Sequence, residues 1–176
     1  MSNGPEDAHA RLSVPMTAVV LVGVFVFMGL FFALHTLLGV GMPVFGILFL
    51  IYWAAILKQD PAAFVPSVLG PLAGIALAWV LIVMPAQTGT AGMVVSRVIL
   101  VVVLFCFTRG QAKLLVNNAT MLFVTVAAVP EFDVGRNYGG MAGSVVLSAA
   151  YMGLVALGLR EIGKRRANRK IVADVA

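Results

Sequence analysis

The sequence predicts an all-α membrane protein, a polytopic bundle of six transmembrane helices. Hydrophobic residues make up 61% of the chain and charged residues only 11%, whereas soluble domains carry roughly a quarter charged residues. The mean hydropathy is +1.05. The apolar residues fall into runs long enough to cross a hydrocarbon core of about 30 Å. A chain of 176 residues has room for such helices but for no separate soluble domain.

The apolar runs and the polar breaks between them define the predicted spans. A tail at 1–13 precedes the six-helix domain at 14–160, and a basic tail follows at 161–176. The turn GVGMP is so short that the second span must return antiparallel to the first. PAQTGTAG forms an uncharged turn between the third and fourth spans. The predicted spans are 14–38, 41–57, 66–84, 92–108, 114–130 and 138–159.

Proline and glycine give the third and sixth spans their expected shape. Pro71 removes a backbone donor within the third span, so this helix is expected to be kinked early. Gly70 and Gly74, four residues apart, offer a close-packing face of the GxxxG type. The sixth span is rich in small residues, among them Gly139 and Gly143. We expect both faces to mediate helix packing, within the monomer or across an oligomer.

The fifth span is predicted to be broken or re-entrant. At 17 residues, 114–130 is barely long enough to cross the membrane, and its NNAT run forms a helix poorly. A discontinuous helix would free backbone groups to contact a solute. This segment is also where most of the polar side chains enter the apolar part of the sequence.

The distribution of positive charge predicts the orientation. The net charge of +5 arises from Lys and Arg at the ends of apolar runs, so it indicates membrane topology and predicts no nucleic-acid partner. With an even number of spans, both termini are expected in the cytoplasm. The cytoplasmic side then collects ten of the twelve basic residues: Arg11, Lys58, Arg109, Lys113, Arg160, Lys164, Arg165, Arg166, Arg169 and Lys170.

Five polar residues within or near the spans are candidates for binding a solute: Arg97, Asn117, Asn118, Thr120 and His35. Arg97 lies inside the fourth span, where it either snorkels to the interface or attracts an anion with its guanidinium fork. Adjacent Asn117 and Asn118 point about 100° apart on a helix, so one could line a cavity while the other bonds a neighbouring helix.

His35 is expected to be solvated near the outer end of the first helix or, if buried, to be the membrane-embedded group that titrates near neutral pH. The sequence offers no clustered carboxylates and no nucleophile paired with a base, so it predicts no enzyme activity, no metal site and no cofactor. The glycines of the sixth span are not a phosphate loop, because no strand precedes them.

The order of these segments resembles the small bacterial inner-membrane proteins of the YcdZ type. The resemblance is carried by LGVGMPVFGILFLIYWAA, VPSVLGPLAGIALAWVLI and RGQAKLLVNNATMLFVTVAA. It implies a location in the bacterial inner membrane but no activity. A remoter similarity, through RNYGGMAGSVVLSAAYMG at the last helix, is to the transmembrane half of the fusaric acid and aromatic acid exporters, whose soluble region this chain lacks. That similarity implies a helical, oligomeric bundle, and transport only by analogy.

Two functional hypotheses follow. The first is a small transporter or channel component for a small, anionic solute, whose pathway uses the five polar residues. The second is a non-transporting membrane subunit or scaffold, in which the same residues bond neighbouring helices or a partner protein. Besides the lipid bilayer, the expected partners are a second copy of the chain or another membrane protein. The first predicts one water-accessible cavity, and the second predicts no continuous polar path.

Overall fold

The computed structural model describes the backbone of residues 14–129 and 137–175, and in these ranges the protein is all-helical. The predicted N-terminal tail and the predicted turn at 131–136 lie outside the described residues. The five α-helices are α1 Val14–Leu37, α2 Pro43–Ile51, α3 Phe64–Thr108, α4 Asn118–Ala127 and α5 Tyr138–Val175. A π-helical segment, Tyr52–Ile56, extends α2, and a 3₁₀ turn, Pro61–Ala63, precedes α3.

Three of the helices are long and apolar enough to cross a membrane, which agrees with a membrane protein. They cover Met16–Leu37, Pro61–Thr108 and Tyr138–Gly158. Two further apolar helices, Pro43–Ile56 and Asn118–Ala127, are shorter than the roughly 20 residues that a crossing helix needs. Helix α5 continues without a break into the predicted basic tail and ends at Val175.

Helix α3 contains two arms that meet at Gly89. Gly89 has φ 64° and ψ −139°, values outside the helical region, whereas Pro71 and Pro85 lie within the helix. A straight helix would carry Thr108 about 63 Å from Pro66 at 1.5 Å per residue. Asn117 follows Thr108 by nine residues, which span at most about 32 Å, yet its side chain bonds the Pro66 carbonyl. The chain therefore folds back at Gly89, inside the predicted PAQTGTAG turn.

Successive segments run in alternating directions. Helix α1 is antiparallel to α5, since His35 contacts Ser144 and Phe27 contacts Tyr151. Helix α2 is parallel to α5, and the first arm of α3 is antiparallel to α5. The second arm returns, and α4 then runs parallel to the first arm, with Gly74 against Thr120. One end of the bundle, called the Gly89 end, carries Gly39, Gly89 and Asn137, and the other, the Gln111 end, carries Gln59, Gln111 and Arg160.

An aromatic and aliphatic core holds α2, the first arm of α3, α4 and α5 together. Phe45, Phe49 and Phe123 are fully buried, and the rings of Phe45 and Phe123 lie 6.1 Å apart. By contrast, α1 contacts the bundle along one narrow stripe, and only 6% of its apolar 18-residue stretch is buried. Most of the α1 surface is therefore left for lipid or for another chain.

We predict that Gly89→Ala destabilises the fold by about 1–3 kcal/mol, because an L side chain is strained at these backbone angles. Thermal unfolding in neutral detergent, followed by circular dichroism, measures the change. Gly23→Ala is the matched control: Gly23 lies in α1 with open space around it, and alanine is the better helix former by about 1 kcal/mol. Equal unfolding temperatures for the two variants would contradict the reversal at Gly89.

Candidate functional site

The described residues form one buried polar junction, in which His35 of α1, Gly46 of α2 and Ser144 of α5 meet. His35 is only 3% exposed and Ser144 is fully buried. His35 Nδ1 lies 3.0 Å from the Phe31 carbonyl oxygen, and Nε2 lies 3.0 Å from Ser144 Oγ. The junction joins the consecutive helices α1 and α2 to α5, whose Ser144 lies 109 positions after His35 and 98 positions after Gly46.

The partners of His35 determine its tautomer. A backbone carbonyl can only accept, so Nδ1 carries the proton and donates to Phe31. Nε2 is then the acceptor, and the Ser144 hydroxyl donates to it. A lone pair of the same hydroxyl accepts the Gly46 N–H at 3.0 Å. Every polar group of the neutral junction is therefore paired, as burial in an apolar interior requires.

Close packing around Gly46 fixes the geometry of the junction. A Cβ atom at Gly46 would lie 2.7 Å from Ser144 Oγ and 2.8 Å from Phe31 Cζ, and it would also collide with Ser148. The rings of Phe31 and His35 are in tilted contact, with centroids 4.3 Å apart and an angle of 50° between their planes. Ser148 donates to the Ser144 carbonyl oxygen within α5 at 2.6 Å. Only glycine at position 46 lets α2 approach α5 this closely.

Asn117 and Thr120 form the N-terminal cap of α4. The Asn117 Oδ1 atom accepts from the N–H groups of Ala119 and Thr120 at 2.9 and 3.3 Å. The Thr120 hydroxyl accepts the Asn117 N–H at 3.1 Å and donates to the Leu115 carbonyl. This reciprocal arrangement is a capping box. The NNAT run therefore starts a helix, because asparagine favours the N-cap over the helix interior.

Asn117 also bonds α4 to α3. Its Nδ2 group donates to the carbonyl oxygens of Pro66 and Lys113 at 3.0 and 3.1 Å. All four hydrogen bonds that an asparagine side chain can make are thus formed. Gly70 lies directly under the Asn117 amide, and Gly74 lies under the Thr120 carbonyl and the Val124 N–H. The absence of side chains at both glycines allows this close contact.

The remaining candidate residues lie apart from these two sites. Asn118 and Arg97 are exposed, Asn118 beside the Gln111 end and Arg97 on the outer face of the second arm of α3. By helical rise, Arg97 lies about 16 Å from the end of that arm at Thr108. A Cβ atom added at Gly139 would lie 3.4 Å from Asn137 Oδ1, and one added at Gly143 would lie 3.5 Å from Val40 Cγ1. His35 lies toward the Gly89 end, whereas the start of α4, with Asn117 and Thr120, lies toward the Gln111 end.

Sequence reasoning missed the partners that complete these sites, chiefly Ser144, Gly46 and the carbonyl of Pro66. Ser144 is one of the small residues that favour close packing of the sixth span. Its meeting with His35 bridges 109 positions, a separation for which a single sequence gives no signal. A hydroxyl one helical turn from a second hydroxyl, Ser148, in an apolar helix was the available hint that this face of α5 bonds a polar partner.

No protein-family model matches the chain, and neither a curated protein nor a solved structure matches it. The resemblance to the YcdZ-type proteins and the remoter similarity to the exporters therefore stay predictions.

We predict that Ser144→Ala lowers the free energy of unfolding by about 1–3 kcal/mol, because it leaves His35 Nε2 and the Gly46 N–H buried and unpaired. Ser148→Ala, on the same face of α5, should cost less than about 1 kcal/mol, since its hydroxyl bonds only a carbonyl of its own helix. Chemical unfolding in detergent micelles compares the two variants. Equal losses would show that the His35 bond does not hold the junction.

Asn117→Ala should destabilise the protein by about 1–3 kcal/mol, through loss of the cap and of the bond to α3. The adjacent Asn118→Ala is the matched control and should change stability by less than about 0.5 kcal/mol, because Asn118 is exposed. The same unfolding assay applies. A larger loss at Asn118 than at Asn117 would contradict the capping role.

Proposed function

We propose that the protein is a membrane protein with six spanning segments that serves as a non-transporting subunit or scaffold and binds its partner through its helix faces. The partner is a second copy of the chain or another membrane protein. The observation that carries the proposal is the hydrogen bonding of His35, Asn117 and Thr120. The polar atoms of these side chains are paired inside the chain, which is the use that a scaffold makes of intramembrane polar groups.

The alternating directions of the segments support six spans. Three long apolar helices account for four of them, because α3 folds back at Gly89. Helix α2 with its π-helical extension, and α4 with the turns before it, supply the two short ones. An even number puts both termini on one side. Lys58, Arg109, Lys113 and Arg160 are all at the Gln111 end, which supports a cytoplasmic location for that end in the bacterial inner membrane.

Unpacked helix faces support a role in assembly. The exposed side of α1 carries apolar side chains along its length, and so does the second arm of α3. On that arm Arg97 stands among exposed Val94, Val98 and Val101. A guanidinium on an apolar face is costly unless it reaches the interface or a partner group. Contact with a partner chain would cover both the charge and the valines.

We propose no catalytic role for the junction. Its hydroxyl, imidazole and carbonyl follow the order of a nucleophile, a base and a group that orients the base. Ser144 is nevertheless fully buried, and its hydroxyl oxygen is engaged by Gly46. A nucleophile without access to substrate supports a structural use of the pair.

A transporter or channel component for a small anionic solute is the second candidate, and one observation favours it. The fifth segment is discontinuous: residues 109–117 form turns, and only Asn118–Ala127 is helical. Transporters use such half-helices beside their binding sites. Here, however, the Asn117 side chain already caps the N-terminus of α4, so an anion would have to displace this side chain.

Cysteine accessibility distinguishes the two functions. In intact cells, on a Cys106→Ala background, single cysteines replace His35, Arg97, Asn117 and Asn118 and are probed with a membrane-impermeant thiol reagent. The scaffold predicts no labelling, because His35 and Asn117 are engaged in helix contacts. Arg97 and Asn118 are exposed on this chain and would be covered by lipid or by the partner. An adjacent exposed valine, Val98, serves as the lipid-facing control. Labelling at 97 together with 117 or 118, but not at 98, would mean a water-filled path and would overturn the scaffold in favour of transport.

A further inference from the structure

We propose that a cavity at the Gln111 end binds an anionic amphiphile, a molecule with an acidic head group and an apolar chain. The cavity has a volume of about 420 Å³ and lies between the π-helical end of α2, the start of α3 and the second half of α5. Trp53, Phe64, Gly153 and Leu157 form its apolar wall, and Gln59 and Arg160 supply its polar groups. Its volume is typical of pockets for small molecules.

The apolar wall contains an aromatic pair and is left open by one glycine. The rings of Trp53 and Phe64 meet edge to face, with centroids 5.3 Å apart and an angle of 77°. On the opposite helix a Cβ at Gly153 would stand 4.0 Å from Phe64 Cζ. A larger side chain at position 153 would extend into the space between α5 and Phe64. Because Gly153 has none, the aromatic pair can receive an aliphatic chain.

Arg160 determines the charge that the cavity accepts. It is the charged side chain among the residues that line the cavity, and none of the lining residues is a carboxylate. A guanidinium presents donors in a planar fork that suits a carboxylate or a phosphate. The amide of Gln59 adds a further donor beside it. The polar edge thus favours an anion, while the wall behind it favours hydrocarbon.

Trp53 gives an independent indication that the cavity takes a ligand. The side chain is 4% exposed, and its indole N–H has no hydrogen-bond partner among the described residues. Buried tryptophan N–H groups usually have a partner. In a side chain that lines a cavity, an unpaired donor is expected where a bound group supplies the acceptor.

The backbone around Trp53 is also unusual in a way that is typical of binding sites. Trp53 lies in the π-helical segment, closed by a bond of 3.1 Å from the Leu57 N–H to the Tyr52 carbonyl. π-Helical turns often occur at functional sites. Lys58 and Gln59 follow with φ angles of 50° and 61°, a left-handed conformation that non-glycine residues rarely adopt. The backbone therefore turns at these two residues, and Gln59 lines the cavity.

Two sources could supply the amphiphile: a free acid with an alkyl chain, or an anionic phospholipid that inserts one of its chains. The shared chemistry is an anionic head group at Arg160 with hydrocarbon against Trp53 and Phe64. The site lies at the level of Tyr52 and Trp53, aromatic residues of the kind that mark a membrane interface. The inference does not depend on whether the protein transports a solute.

The test uses quenching of Trp53 fluorescence by bromine on the alkyl chain. Trp79→Phe leaves Trp53 as the only tryptophan. The full chain, in phosphatidylcholine nanodiscs, is titrated with 11-bromoundecanoate, and with 11-bromoundecanol as the uncharged counterpart. In a second arm, chain-brominated phosphatidylglycerol is compared with chain-brominated phosphatidylcholine. We expect saturable quenching by the anion in at least one arm, and only weak, unsaturable quenching by the uncharged probe.

Matched variants decide whether quenching reports the cavity. Gly153→Leu should abolish saturable quenching, whereas Gly158→Leu, on the same helix with open space around it, should not. Arg160→Gln should weaken binding about tenfold or more, whereas Arg109→Gln removes the same charge elsewhere and should leave the affinity unchanged. This pattern with the free acid identifies a soluble amphiphile, and with phosphatidylglycerol alone it identifies a lipid. Quenching that is equal in all variants, or absent in both arms, would overturn the proposal.

Discussion

The placement of α1 against the bundle depends most on the hydrogen bond between His35 and Ser144. Burial of apolar surface gives little preference between lipid and a neighbouring helix inside a membrane. Directional contacts must therefore select which face of α1 meets the bundle. That face carries His35 and Phe31, and one turn further Phe27, whose carbonyl accepts the Tyr151 hydroxyl at 3.0 Å. A few polar bonds to α5 therefore position a helix of 24 residues.

The same need for directional contacts explains how α4 is positioned. Ten residues span about 15 Å, half of a hydrocarbon core, and so short a helix has little apolar surface with which to find its place. Its location is set at the N-terminus, where Asn117 closes the first turn and bonds the Pro66 carbonyl. Gly70 and Gly74 bring the backbones close enough for that bond to form. The polar side chains of the fifth segment thus position α4, independently of any contact with a solute.

The sequence predicted the helices well and the side-chain partners poorly, for one physical reason. Apolar runs and their breaks are local features: the first run was placed at 14–38 and the helix is Val14–Leu37, and the turn expected at PAQTGTAG contains Gly89. The burial of His35 depends instead on a serine 109 positions away. The start of the fifth helix was also set too early, because Asn117 was interpreted as a weak interior residue instead of a cap.

The polar groups in the interior of this fold differ from those on its surface, and this difference limits where an anion can bind. The interior of the described bundle holds the hydrogen-bonded junction of His35 and Ser144 and the helix cap of Asn117, whose polar atoms are already paired. The positive side chains that the structure describes are exposed, with Arg97 toward one end of the bundle and Arg160 at the other. Arg160 borders the cavity beside the unpaired Trp53 N–H. Helix association and recognition of an anion are therefore separate in space, so a change at either site can alter one property without the other.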